Sequence, residues 1–390
     1  MKSAGTAGRN RLWLFFCIYF LFWMAFNTLE PYLGVFHESR GLTGTQIGMA
    51  TSIFSIATVI AALISGVIED RMGRPGTVVG LLMVGMLMST GALYLSHRAA
   101  LTFAAVFFYG FCFSPVNGIV DKVLLDELQD QPERFSLFRT GGTAGAGAGV
   151  ILAGLLYNGE SFFGTFSAFW LLAALCALCA RSMPQEHLSR TQIPRVQDYL
   201  DLVRNPYFIP IYLTMALWGF TESSVLQFLA LYITGQGYPA RLTSVFVAAA
   251  MVGEFLGFLI VPRLLKRMDL RRLLSAAFLL EFLRVGGLAL MGRLPLALVV
   301  FVQFLGGGCY AILYSVITQV INRIYPAQVS YSAHSLKLVA SRGVGMTCGS
   351  LMLGAFFDRG QITAGYWILT VTAGILMIYY LLPIRKDRLI

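Results

Sequence analysis

Charge is what this sequence has least of. Only 12% of its 390 residues are Asp, Glu, Lys or Arg, about half the share of an ordinary water-soluble domain. A chain of this length cannot coat a water-facing surface with so few charges, which excludes an ordinary soluble domain. Histidine is equally sparse: His37, His97, His187 and His334 are scattered over different loops and helix ends. No metal-ligand cluster, Gly-rich nucleotide loop or nucleophile–base constellation can be assembled from such a set. The chain is therefore expected not to be an enzyme, and to hold neither metal nor cofactor. All six cysteines fall in apolar stretches. Cys176 and Cys179 form a CxxC, but inside a run of Leu and Ala, where a thiol serves as small apolar filler. A cleavable leader is not expected either: the first apolar run, Leu12 to Phe36, is too long for a signal core and reads as a membrane span.

What is present in quantity is apolar: 57% of the chain, with 30 Phe and 40 Gly. These suit lipid-facing bulk and close helix crossings. A crossing helix needs about 20 apolar residues. Segments of that kind occur at 11–36, 45–68, 77–96, 99–126, 138–158, 161–181, 207–235, 242–264, 271–292, 295–322, 334–357 and 361–383. The expected fold is an all-α membrane protein of twelve transmembrane helices in two six-helix bundles, 1–181 and 207–390. The longest polar interruption, 182–206, would be a cytoplasmic linker. With both termini in the cytoplasm, 21 of the 29 Lys and Arg residues fall on the inner side and five on the outer, as the positive-inside rule requires. The formal charge of +10 is thus spread over short loops. That argues against nucleic acid as a partner, which a single basic patch would favour.

Small residues repeat every fourth position at Gly141, Gly145 and Gly149 and again at Gly345 and Gly349, faces that let helices approach closely. The tight basic turn Glu69–Arg74 is echoed by Leu265–Leu270 after the second helix of the other half, a faint internal repeat. Ionisable residues fall at membrane depth in Glu30, Asp121, Arg139, Glu222, Glu254, Glu281, Arg284, Lys337 and Arg342. Each costs roughly 2.5–3.5 kcal/mol to insert unless paired or hydrated, so each is a functional candidate.

The stretch Gly66, Asp70, Arg71, Gly73, Arg74 matches the GxxxDRxGR loop of the major facilitator superfamily, and the chain resembles that superfamily over most of its length. Such a loop would act as a cytoplasmic gate: Gly73 allows the tight turn and Asp70 can accept from a facing helix N-terminus. The segments Tyr19–Tyr32, Gly41–Gly48, Tyr109–Asp121, Gly253–Glu254 and Phe282–Gly287 are similar to the lactose permease branch, the oligosaccharide–proton symporters and the related phenylpropionate permeases. The resemblance implies a proton-coupled secondary transporter of a bacterial cytoplasmic membrane, with a central site for a sugar or an aromatic carboxylate. Its partners would be a small solute, protons and the bilayer, and the chain would be a monomer. A multidrug or metabolite exporter of the same superfamily is the alternative.

The resemblance also implies roles. Asp121 and Arg139 match the sugar-binding acid and arginine; a structural ion pair is the alternative. Glu254 matches the carboxylate linking binding to proton movement, and Arg284 the arginine near the proton site, the two forming a static pair in the blander reading. Glu222 and Arg342 approximate a charge pair between the seventh and eleventh spans, although Glu222 is offset by one from the acidic position, where Thr221 stands. Asn27 and Trp218 are candidate substrate contacts, Trp218 as a stacking surface or simply packing. Glu30 has no acidic counterpart and is a proton site, a substrate contact or an interface residue. Glu281 and Lys337, nearer helix ends, are expected to snorkel. Departures are equally plain. Ala146 replaces the aromatic platform, Gly306 and Cys309 replace a histidine and a glutamate, and Met24 replaces a small residue beside the sugar. Galactoside specificity is therefore not implied, and proton coupling would need other carboxylates.

Overall fold

The structure is a computed structural model that describes residues 6–72, 74–128, 134–157, 159–184, 202–325 and 327–382. Among these no β-strand forms; one isolated bridge joins Met291 and Leu294. Helices fill the apolar segments because a backbone without water must satisfy its own N–H and C=O groups.

In chain order, α1 is Thr6–Leu29, followed by a 3-10 turn at Glu30–Tyr32 and α2 at Leu33–Ser39. Pro31 supplies no N–H, which is why the first rod breaks there. Next come α3 (Gly44–Met72), α4 (Pro75–Leu95), α5 (Ala99–Leu128), α6 (Phe135–Leu156) and α7 (Phe163–Ala180). The second half contains α8 (Phe208–Gly235), α9 (Leu242–Arg267), α10 (Leu270–Ala289) and α11 (Leu296–Ile324). Its last rods are α12 (Ala327–Leu338), continued through a π-helical segment, Val339–Met346, into α13 (Thr347–Asp358), and then α14 (Ile362–Leu381). Pro75 opens α4 at the one helical position where its missing N–H costs nothing. Gly41 and Gly360 turn the chain at φ +80° and +66°, where a side chain would be strained.

Eight of the described helical segments are long and apolar enough to cross a membrane. The helix α10 misses that standard because it carries Arg271, Arg272, Glu281 and Arg284. Large apolar side chains such as Leu95, Leu155, Met88 and Leu171 are exposed along the rods, as a lipid-facing surface requires.

Two compact units result: residues Met1–Phe36 with Ile53–Gln192, and His37–Ser52 with Ile193–Ile390. The first nine residues of α3 thus belong to the second unit and the rest to the first. Within the first unit, α1 packs on α6 and α7, and α4 on α5 and α7. The glycine face read from the sequence is the α1–α6 crossing. Gly141, Gly145 and Gly149 lie against the backbone of Phe16, Phe20 and Met24, where any Cβ would overlap a carbonyl oxygen. Within the second unit, α9 packs on α11, α10 on α11 and α14, and α8 on the π segment. Gly253 and Gly307 make the α9–α11 crossing possible, while Gly219 and Gly345 do so for α8 against the π segment.

Candidate functional site

In the first unit α1 and α6 bring two side chains onto one carboxylate of α5. Asp121 accepts hydrogen bonds from the buried Tyr19 hydroxyl and from the Arg139 guanidinium. Asp121 is 25% and Arg139 45% exposed, so both remain reachable by a solute. One turn along, Trp23 Nε1 donates to Asn117 Oδ1 at 3.1 Å. The Asn27 amide donates to the Trp23 carbonyl at 2.9 Å, which commits one of its two N–H donors to its own helix. Glu30 lies in the 3-10 turn that follows α1.

Of the loop motif, Gly66, Asp70 and Arg71 lie in the last turns of α3, but their side chains, and Gly73 altogether, lie outside the described residues. Arg74 is exposed and stands immediately before Pro75 at the start of α4.

The second unit holds a buried ionic triad. Arg284, 2% exposed, donates to Glu281 Oε1 at 2.7 Å and to Glu222. Glu281 is fully buried. This arrangement corrects the expected partners. Arg284 pairs with Glu222 and Glu281 rather than with Glu254, and Glu222 does not pair with Arg342. The reasons are geometric. Glu281 is three residues before Arg284 and so shares its helix face. The one-residue offset of Glu222 rotates it by about 100° on α8, which aims it at α10. Gly306 leaves the space: a Cβ there would overlap the aliphatic stem of Arg284. The expectation that Glu281 and Lys337 snorkel is likewise overturned, since both side chains are buried against neighbouring helices.

Glu254 on α9 is half-buried and has no hydrogen-bond or ion-pair partner among the described residues; it feels the charge of Glu222. Arg342 sits in the π segment and has no carboxylate partner among the described residues.

Sequence reading missed an aromatic cluster around these groups. Tyr310 and Tyr314, one turn apart on α11, stack at 5.9 Å. Trp218 lies 5.7 Å from Tyr310, and Phe258 meets both tyrosines edge-on. Lys337 places its ammonium 4.3 Å from the centre of the Tyr314 ring and 3.5 Å from Thr318 Oγ1. A cation–π contact contributes about 0.5–2 kcal/mol, less than the roughly 2.5–3.5 kcal/mol of placing a lysine at membrane depth. The contact therefore offsets only part of the cost. The signal that could have found this cluster was the Tyr-x-x-x-Tyr spacing of Tyr310 and Tyr314. The π-helical turn carried no such signal.

Helices long enough to span a bilayer, with ionisable side chains held among them, mark a membrane protein that handles a solute or an ion. The particular family follows from comparison: the MFS_1 like family model matches residues 12–368, and the chain belongs to that family, a multi-pass transporter of the cell membrane. Among curated relatives, the maltose permease of Geobacillus stearothermophilus is 25% identical over 98% of this chain and 97% of that protein. The multidrug resistance protein MdtG of Salmonella paratyphi C is 23% identical over 95% of this chain and 94% of its own. Among solved structures, the nucleoside transporter NupG superposes with a TM-score of 0.82 over 96% of this chain and 98% of that one, at 16% identity, which establishes the fold.

Proposed function

We infer that the protein is a secondary active transporter working by alternating access, which takes up a small polar or anionic organic solute together with a proton. On this reading both termini are cytoplasmic, twelve spans cross the membrane, and a linker over 182–206 joins bundles 1–181 and 207–390. The transporter works as a monomer. Asp121 and Arg139 contact the solute, and the stretch Gly66 to Arg74 gates the cytoplasmic side. The observation that carries the reading is Glu254, a carboxylate at membrane depth with no hydrogen-bond or ion-pair partner among the described residues, while Glu222 and Glu281 both hold Arg284. A carboxylate so placed can take up and release a proton without unpairing a structural partner, whereas Glu222 and Glu281 cannot. The likeness to a maltose permease supports uptake.

The likeness to a multidrug protein favours the second reading, proton-driven export. Purified protein in proteoliposomes separates the two. An inward proton gradient that accumulates a radiolabelled glycoside or aromatic carboxylate, and loses it on adding a protonophore, supports symport. Extrusion of preloaded solute under the same gradient supports export, and flux indifferent to the gradient removes both.

A further inference from the structure

The end of α9 and the start of α10 gather basic side chains around a two-residue turn, Met268 and Asp269. From Phe255 to Leu280 the chain has five basic residues, Arg263, Lys266, Arg267, Arg271 and Arg272, and one acid, Asp269. Arg271 is committed: its guanidinium donates to the Tyr379 and Leu382 carbonyls at 3.0 and 2.7 Å, closing the C-terminal end of α14. Arg263, Lys266, Arg267 and Arg272 are exposed and have no carboxylate partner among the described residues. Asp269 is exposed at the turn, and its side chain does not cap α10. One carboxylate cannot balance four cations.

These cations continue an apolar line. Of the eight segments long and apolar enough to cross a membrane, α9 is the least covered by its neighbours, with 28% of its apolar window buried. Gly253 and Gly257 turn one side of α9 against Phe304, Gly308 and Ala311 of α11. At about 100° per residue, positions 252, 255, 256, 259, 263 and 266 fall on the opposite side. There Val252, Phe255, Leu256 and Leu259 are 53%, 48%, 40% and 54% exposed. Arg263 and Lys266 extend the same line over the next two turns, with Arg267 beside them. The partial negative charge at a helix C-terminus favours Lys266 and Arg267 in the last turn of α9. It does not account for Arg263 one turn earlier, nor for Arg272 across the turn on α10.

An exposed apolar line that ends in unpaired cations complements a molecule with an anion at one end and hydrocarbon at the other. Free phosphate would use the cations alone, and an acidic protein surface would leave the apolar line uncovered. We propose that the end of α9 is a binding site for an anionic phospholipid. Its phosphate lies on Arg263, Lys266 and Arg267, with Arg272 adding charge from α10, and its acyl chains run along Val252, Phe255, Leu256 and Leu259. Guanidinium groups grip phosphate oxygens in a two-bond fork, and the lysine adds a point charge. Basic residues placed directly beyond a membrane span draw anionic headgroups in this way. The inference is independent of which solute the protein moves and of how movement is coupled.

The test uses the purified full chain in a neutral detergent with two probes of identical acyl chains, dioleoylphosphatidylglycerol and dioleoylphosphatidylcholine. Retained lipid is counted by native mass spectrometry, and thermal stabilisation is read alongside. The anionic lipid should bind about tenfold more tightly than the zwitterionic one. The triple variant Arg263→Gln, Lys266→Gln, Arg267→Gln should bring that ratio close to one. A second triple variant, Arg98→Gln, Arg241→Gln, Arg293→Gln, removes the same charge from three other exposed positions and should keep the ratio. All six side chains are exposed, and melting without lipid checks that each variant folds. A ratio near one in the parent overturns the site, as does a ratio that survives the first triple variant or falls equally in the second. Soluble glycerophosphoglycerol supplies the same headgroup without hydrocarbon. If it stabilises the parent as strongly as the lipid at equal concentration, the apolar line has no part and the occupant is not a lipid.

Discussion

Three glutamates at membrane depth in the second unit share a residue type but not a task, and the difference is partnership. Glu222 and Glu281 hold Arg284, whereas Glu254 has no hydrogen-bond or ion-pair partner among the described residues. Removing Arg284 leaves two carboxylates buried without compensation, a loss of about 3–5 kcal/mol. Arg284→Leu should therefore melt well below the parent in detergent. Combining it with Glu222→Gln and Glu281→Gln should recover most of the difference, because the charges then leave together. If the triple variant melts no higher than the single one, the triad is not what stabilises this region. Glu254→Gln should act in the opposite manner, leaving the melting temperature nearly unchanged. It should abolish uphill accumulation under a proton gradient while retaining counterflow exchange, because a neutral amide can still bind solute but carries no proton. Accumulation at the parent level in Glu254→Gln would assign coupling elsewhere.

At the scale of elements, contacts depend on which face a residue occupies, and that is where sequence reading lost information. Hydropathy gives axial depth, so the apolar segments and the glycine face of α6 were legible. Azimuth was not: one residue of offset turned Glu222 toward α10, and a π-helical stretch turned Arg342 relative to Lys337. Neither the break at Glu30 nor the pairing of α3 with α13 was legible either, the latter because it joins residues more than 300 positions apart. At the start of α3 the Gly44 and Thr45 N–H groups and the Thr45 hydroxyl all donate to Asp358, the last residue of α13. Gly44, Gly48 and Gly354 permit this close approach. Partial burial pushes the Asp358 carboxyl up, but hydrogen bonds from Thr45 and Gly44 outweigh it and hold its pKa below the ordinary 3.8. A lowered carboxylate pKa gives stabilisation that is complete above the ordinary value and lost as pH falls through the lowered one. The clasp should thus be intact at neutral pH and open only in strong acid. Hydrogen-exchange protection of amides 44–46 should be high at pH 7 in the parent and lower in Asp358→Asn, which should also lose the acid-dependent change. Equal protection in both proteins would mean that the helix start is held by packing alone.

Across the whole molecule, scarce charge is also unevenly placed. A chain that spends so few charged residues places most of its Lys and Arg in short segments, 21 of 29 on one side if both termini are cytoplasmic. That asymmetry is a statement about insertion rather than packing. An even number of crossings is its consequence, since an odd number would strand the basic turns on both sides. The turn between α4 and α5, at Ser96–Arg98, should then be outside, and the turn at Met268–Asp269, between α9 and α10, inside. In a variant whose six cysteines are replaced, His97→Cys should react with a membrane-impermeant maleimide in intact cells. Asp269→Cys should react only after the membrane is opened. Labelling of both in intact cells would break the twelve-span arrangement. The reverse pattern would keep the even count but invert the protein, and with it the assignment of the Gly66–Arg74 stretch as a cytoplasmic gate.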